Sequence, residues 1–186
     1  MEKLVKLFFE AGKLRDEERS GWKFLSVENP ESVAEHSFRA ALIGYFLAKE
    51  EGADGDRVIK MLLFHDLPES RIGDIHKVSG KYLNKSDAES EVIKDQKRRM
   101  PGEMGEEYQS LLQEFEKRES KEAVVARDAD LIECSVQAKE YMEKGHSEAE
   151  NWIENAGKEI ETETAKEMLN LIVEKYEPWW KGLKEV

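Results

Sequence analysis

Cysteine is almost absent. Cys134 is the only one in 186 residues, so no internal disulfide framework holds the chain together, and a lone thiol fits a reducing, cytoplasmic setting. Proline is scarce as well, with 4 residues, which leaves long stretches free to run as helix. No apolar run approaches the roughly 20 residues that span a bilayer, so no membrane partner is expected. The opening stretch, MEKLVKLFFEAGKLRDEERS, interleaves charges with apolar positions and reads as an amphipathic helix rather than a signal peptide. Basic charge is the scarcer sign: 29 Lys and Arg against 41 Asp and Glu give a net charge of −12. The densest basic run is KRR at 97–99, too little to neutralise a nucleic acid polymer. What is present is 39% hydrophobic and 38% charged residues, the balance of a compact, mostly helical protein. The length suits one core and is short for two, so 1–186 is expected to form a single domain.

Apolar spacing and helix punctuation predict an all-α fold. A first helix is expected over 3–14. A second follows Pro30, with Ser32 and Glu35 as a capping box and Gly52 after its end. A third runs from about Asp56 to Asp66 and must stop or kink at Pro68. The stretch 70–85, with Gly73 and Gly80, reads as an irregular connection. Further helices are expected at 86–99, 104–118, 121–144 and 148–176, the last with a break near Gly157. The aromatic ending YEPWWKGLKEV is expected to pack on the body or on a partner subunit.

The segment LLFHDLPESRIGD, 62–74, carries the first chemistry. An apolar run ends in His65 and Asp66, where burying either is costly unless it is satisfied or holds something. Val58, Met61, Leu62 and His65 share a helix face, with Asp66 about a third of a turn further round, so both can look into one groove. His36 sits on the apolar stripe of the second helix with Ala40, Ile43 and Leu47. In AVVARDADLIECSVQAKEYMEKG, two aspartates compete. Asp128 shares a side with Val124, Leu131 and Ile132, and Asp130 with Ala126, Cys134 and Gln137. Periodicity alone does not choose between them, although the smaller, more polar neighbours of Asp130 suit a cavity lining.

A lone His, an adjacent His-Asp pair and a distant Asp, all on helices, resemble the HD-domain metal-dependent phosphohydrolases. The closer similarity is to the YfbR-like 5'-deoxynucleotidases. It rests on RSGWKFLSVENPESVAEHS, LLFHDLPESRIGD and ARDADLIECSVQAKEY, whose spacing holds over most of the chain. The resemblance implies an HD-domain helical bundle around a central divalent metal, with His36, His65, Asp66 and Asp130 as ligands. It also selects Asp130 over Asp128. Two imidazoles and two carboxylates suit a first-row ion such as Mn, Fe, Co, Ni or Zn better than calcium. Such an ion activates water, so no serine or cysteine nucleophile is needed. Glu69, four residues after His65, is expected to relay a proton. Arg19 offers a planar fork for phosphate. In the resembling family, residues placed as Trp22 and Asp74 lie against the sugar. His76 stays outside the metal set, and His146, after Gly145, reads as an exposed loop histidine.

The implied reaction is hydrolysis of 2'-deoxyribonucleoside 5'-monophosphates by a homodimer. Two alternatives stand beside it. One is an HD phosphohydrolase acting on a cyclic nucleotide or a nucleoside polyphosphate, against which the low count of 4 His speaks. The other is a catalytically silent, metal-bound nucleotide sensor, against which Glu69 speaks.

Overall fold

The computed structural model describes residues 1–181 and 183. Helix α1 (Glu2–Ala11) tightens into a 3₁₀ turn at Gly12–Arg15, and a second such turn, Ser20–Leu25, follows Arg19. Helix α2 (Val33–Glu51) starts at the expected capping box: the Ser32 hydroxyl accepts from the Glu35 N–H at 3.2 Å, and the Glu35 carboxylate accepts from the Ser32 N–H at 2.7 Å. Gly52 closes the helix at φ 64°, a left-handed conformation that glycine adopts at little cost.

Helix α3 (Gly55–Phe64) ends where the proline demands it. Beyond it the chain turns through 65–68 on short bonds such as Leu67 N–H to Phe64 C=O and Glu69 N–H to Asp66 C=O. A one-turn helix, α4 (Glu69–Ile72), follows. The corner therefore projects His65, Asp66 and Glu69 from a tight bend rather than from one continuing helix. The supposedly irregular stretch holds a second one-turn helix, α5 (Lys77–Gly80), started by the His76 ring, which accepts from the Ser79 N–H at 3.1 Å. Helices α6 (Lys85–Lys97), α7 (Met104–Lys117) and α8 (Lys121–Glu143) come where periodicity predicts them.

The expected helix over 148–176 is two, α9 (Glu150–Glu159) and α10 (Glu163–Glu174). Gly157 does not break it. It lies inside α9, where an added Cβ would come within 3.2 Å of Leu169 on α10, so its value is close approach. The break falls at 160–162 because buried Asp128 accepts from the N–H groups of Glu161 and Thr162 and from the Thr162 hydroxyl. Thr162 then caps α10 by accepting from the Ala165 N–H.

Among the described residues there is no strand, only an isolated antiparallel bridge between Glu18 and Ser32. With Val33 N–H donating to Glu17 C=O at 2.8 Å, it staples the Arg19 segment to the start of α2. Helix α8 packs against both α2 and α3, and Ala40, Leu47, Val58, Met61, Leu62, Val125 and Ile132 form the core between them. Of the C-terminal aromatics, Trp179 and Trp180 stand away from this body, 83% and 60% exposed, whereas the Tyr176 ring lies with its centroid 5.9 Å from Lys139 Nζ on α8. Residues 182 and 184–186 of that ending lie outside the described residues.

Candidate active site

Helices α2 and α8 and the corner after α3 bring the candidate ligands to one point. The Nε2 atoms of His36 and His65 stand 3.3 Å apart. Asp66 Oδ2 lies 3.2 Å from the His65 Nε2 and 3.7 Å from that of His36. Asp130 Oδ1 lies 3.1 Å and 4.0 Å from the Nε2 atoms of His36 and His65 respectively. Each ring is committed on its far side. His65 Nδ1 pairs with the Leu62 carbonyl at 2.7 Å, and His36 Nδ1 pairs with the buried Glu133 carboxylate. Both Nε2 atoms therefore face the shared point, with a carboxylate oxygen on either hand. This mixed nitrogen and oxygen donor set, with anchored rings, fits a divalent transition ion.

The charges of the site are mutually dependent. Burial works against the Asp66 charge, but His65, Arg19 and His36 outweigh it and hold that carboxyl well below its usual range. Burial likewise opposes Asp130, and His36 and Arg127 overcome it. His36 is pushed down by burial and by Arg19, yet Glu133 and Asp130 prevail and raise it to about 10. Glu69 goes the other way. It is 1% exposed, and burial together with Asp66 and Asp74 lifts its carboxyl to about 9 against the pull of Lys85 and Arg19. Its Oε1 accepts from Lys85 at 3.1 Å, while its buried Oε2 has no hydrogen-bond partner. A carboxyl protonated at neutral pH is suited to give up a proton.

Of these groups, His65, Asp66, Asp130 and Glu69 line a cavity of about 640 Å³, a size suited to a small ligand, whereas His36 is fully buried and forms no part of its lining. Arg19 stands at its edge, donating from Nη1 to Asp66 at 3.2 Å and lying 3.9 Å from Asp74 Oδ1. Asp74 turns its other oxygen to Ser20, accepting from both the backbone N–H and the hydroxyl. Trp22 lines the cavity but is 2% exposed. Its indole donates to Glu31 at 3.0 Å, and its ring stacks on Trp152 with centroids 5.1 Å apart. Trp152, also on the cavity wall, is the more accessible of the two rings. His76 lines the cavity wall with its ring against Phe24, and His146 is half-buried with Nδ1 against the Leu25 carbonyl rather than exposed. Asp128, the rival acid, is spent on holding the turn between α9 and α10.

Several residues of the site escape a reading of the sequence. Lys85 and Arg127 are the further cations of the cavity beside Arg19 and Lys77. Lys85 pairs with Glu69, and Arg127 donates to Asp130 at 2.6 Å. Behind the ligands runs a polar seam between α2 and α8. Arg39 donates to Glu133 at 2.8 Å, to Gln137 at 2.6 Å and to Glu140 at 3.2 Å. Glu31 closes the seam, its carboxyl raised to about 7 by burial and by Glu133. One signal in the sequence could have found it: Asp130, Glu133 and Gln137 follow at spacings of three and four, on one helix face.

The HD domain family model matches residues 11–172. A relative from Dictyostelium discoideum, "5'-deoxynucleotidase HDDC2", is 37% identical over 156 residues, which cover 78% of this chain and 81% of that one. The Homo sapiens protein of the same name is 31% identical over 136 residues, covering 73% of this chain and 66% of its own length. Among solved structures, a conserved hypothetical protein from Pyrococcus furiosus is similar with a TM-score of 0.76 at 33% identity, over 91% of this chain and 98% of that one.

Proposed function

The chain belongs to the HD domain family, and from that premise we propose that it hydrolyses 2'-deoxyribonucleoside 5'-monophosphates to a deoxynucleoside and phosphate. One observation carries the reading: the Nε2 atoms of two anchored imidazoles stand 3.3 Å apart with a carboxylate oxygen of Asp66 and one of Asp130 each 3.1–4.0 Å from both, beside a cavity lined also by Glu69 and Arg19. His36, His65, Asp66 and Asp130 would hold a divalent ion, one of Mn, Fe, Co, Ni or Zn. When bound, such an ion supplies Lewis acidity, polarising a phosphoryl oxygen and lowering the pKa of water.

The chain's own residues do the rest. Arg19 has five N–H donors and spends few of them on Asp66, so its fork is available to phosphate oxygens. Glu69, protonated at neutral pH, gives its proton to the 5'-oxygen as the P–O bond breaks. Asp74 Oδ1, its sister oxygen already fixed by Ser20, is the acceptor for a sugar hydroxyl. The stacked pair Trp22 and Trp152 gives the sugar a rigid wall, and steric exclusion by rigid packing is what would disfavour a 2'-hydroxyl.

The test is phosphate release from a panel of nucleotides by metal-stripped protein refilled with one ion at a time. The expected result is release from deoxynucleoside monophosphates with a higher specificity constant for dAMP than for AMP. Equal constants would remove the sugar preference and leave the phosphatase. Release only from a cyclic nucleotide or polyphosphate, or binding without release, would overturn the assignment.

The assembly belongs to the same proposal. We read 1–186 as one domain, supported by the core that α2, α3, α8 and α10 share. We read the working unit as a homodimer, supported by the apolar α2 face of Phe38, Leu42 and Phe46, which are 70%, 49% and 56% exposed. The lone thiol Cys134 supports a cytoplasmic setting.

A further inference from the structure

Glu133 does not line the cavity, yet it is among the most completely buried charged groups of the described residues, with 0% exposure. A buried carboxylate is costly unless both oxygens are satisfied. Here both are. One oxygen takes His36 Nδ1, and the other takes the Arg39 fork, Nε at 2.8 Å and Nη2 at 2.7 Å. Arg39 is itself fixed by Gln137 and Glu140. The result is a chain of contacts running from α8 to α2 and back, ending at the imidazole that faces Asp130 and His65.

The two candidate ligand rings are therefore anchored unequally. His65 Nδ1 meets a neutral backbone carbonyl, Leu62 C=O, from the last turn of the helix just before it. His36 Nδ1 meets a full carboxylate from a different helix, 97 residues away in sequence. A carboxylate behind an imidazole fixes which nitrogen keeps the proton, holds the ring plane and makes the opposite nitrogen more basic. We propose that Glu133, clamped by Arg39, is a positioning residue that makes His36 the stronger nitrogen ligand and thereby sets the metal affinity of the centre. This rests on the metal-centre reading above and deepens it.

The experiment measures Mn²⁺ binding to the metal-stripped full chain by equilibrium dialysis, with no substrate present. Loss of such a partner behind a ligand typically weakens metal binding 10–100-fold, and Glu133→Gln is expected to fall in that range. Arg39→Met keeps the carboxylate but removes its clamp, and is expected to weaken binding by a smaller factor. A second readout is ¹⁵N NMR of the Zn²⁺-loaded protein. In the wild type the His36 Nδ1 proton should resonate far downfield, bonded to a carboxylate, and in Glu133→Gln it should move upfield. Should Glu133→Gln fail to fold, Glu133→Asp retains the charge but withdraws it by one methylene, and is expected to weaken Mn²⁺ binding too. Folded variants that bind Mn²⁺ within twofold of wild type, even with a lowered melting temperature, would show a merely structural role and overturn the inference. A wild type that binds neither Mn²⁺ nor Zn²⁺ would remove the metal centre itself, a different failure from equal binding by wild type and variant.

Discussion

Asp128 and Asp130 stand two residues apart on α8 and do opposite work. Asp130 faces the two imidazoles, whereas Asp128 holds the backbone N–H groups of the turn just before α10. Asp130→Asn is thus expected to cost bound metal and phosphate release together, as is Asp66→Ala, with the fold kept by circular dichroism. Asp128→Ala should keep its metal but lose about 1–3 kcal/mol in urea unfolding, because buried N–H groups lose their acceptor. The reverse pattern would exchange their roles. For Glu69, proposed as the proton donor, Glu69→Gln should lower turnover by roughly 10²–10⁴-fold with metal content unchanged, and a loss below tenfold would make it a bystander. Its pKa also has a signature in stability. The folded value, about 9, lies above the ordinary 4.5, so the native state binds the extra proton. The stability this gives is full below about pH 4.5 and lost as pH rises through 9. In the metal-free protein, Glu69→Gln should therefore gain on wild type between pH 5 and 9, as thermal melts across that range will read. At this scale the motif residues are legible because their types and spacing carry the chemistry. Lys85, Arg127 and Glu133 are not, since a charged residue on a helix is ordinarily solvated and only the tertiary fold turns these three inward.

Helices α2 and α3 approach so closely at Gly44 that an added Cβ would overlap Leu62 Cδ1 and come within 3.0 Å of Val58 Cγ1. Gly44→Ala is accordingly expected to destabilise by about 1–3 kcal/mol, the usual cost of overpacking, despite alanine's better helix propensity. A stability equal to wild type would mean that Leu62 simply moves aside. The same closeness holds His36 and His65 within reach of each other, so the variant should also weaken metal binding. Element positions were largely readable because caps and breakers act locally: Ser32 with Glu35, Pro68 and Gly52 each do what their chemistry requires. The division of α9 from α10 was not readable, because Asp128, more than thirty positions earlier, makes it. The one-turn helices α4 and α5 were equally hidden, being too short for periodicity to register.

For the molecule as a whole, Phe38, Leu42 and Phe46 form a stripe on the outer side of α2, the helix that delivers His36 from its inner side. If two copies meet there, Phe38→Glu should shift the chain from dimer to monomer in sedimentation equilibrium, and an unchanged mass would exclude this face. The candidate ligands themselves span residues 36 to 130, and only the assembled fold brings them together. An unfolded chain offers an ion nothing comparable, so any ion that binds does so to one side of the unfolding equilibrium. By mass action, an ion at a hundred times its dissociation constant adds about 2.7 kcal/mol. For a chain of this length that corresponds to a rise in melting temperature on the order of 5–10 °C. The melting curve thus becomes a balance on which Mn, Fe, Co, Ni and Zn can be weighed against one another, with no nucleotide in the tube.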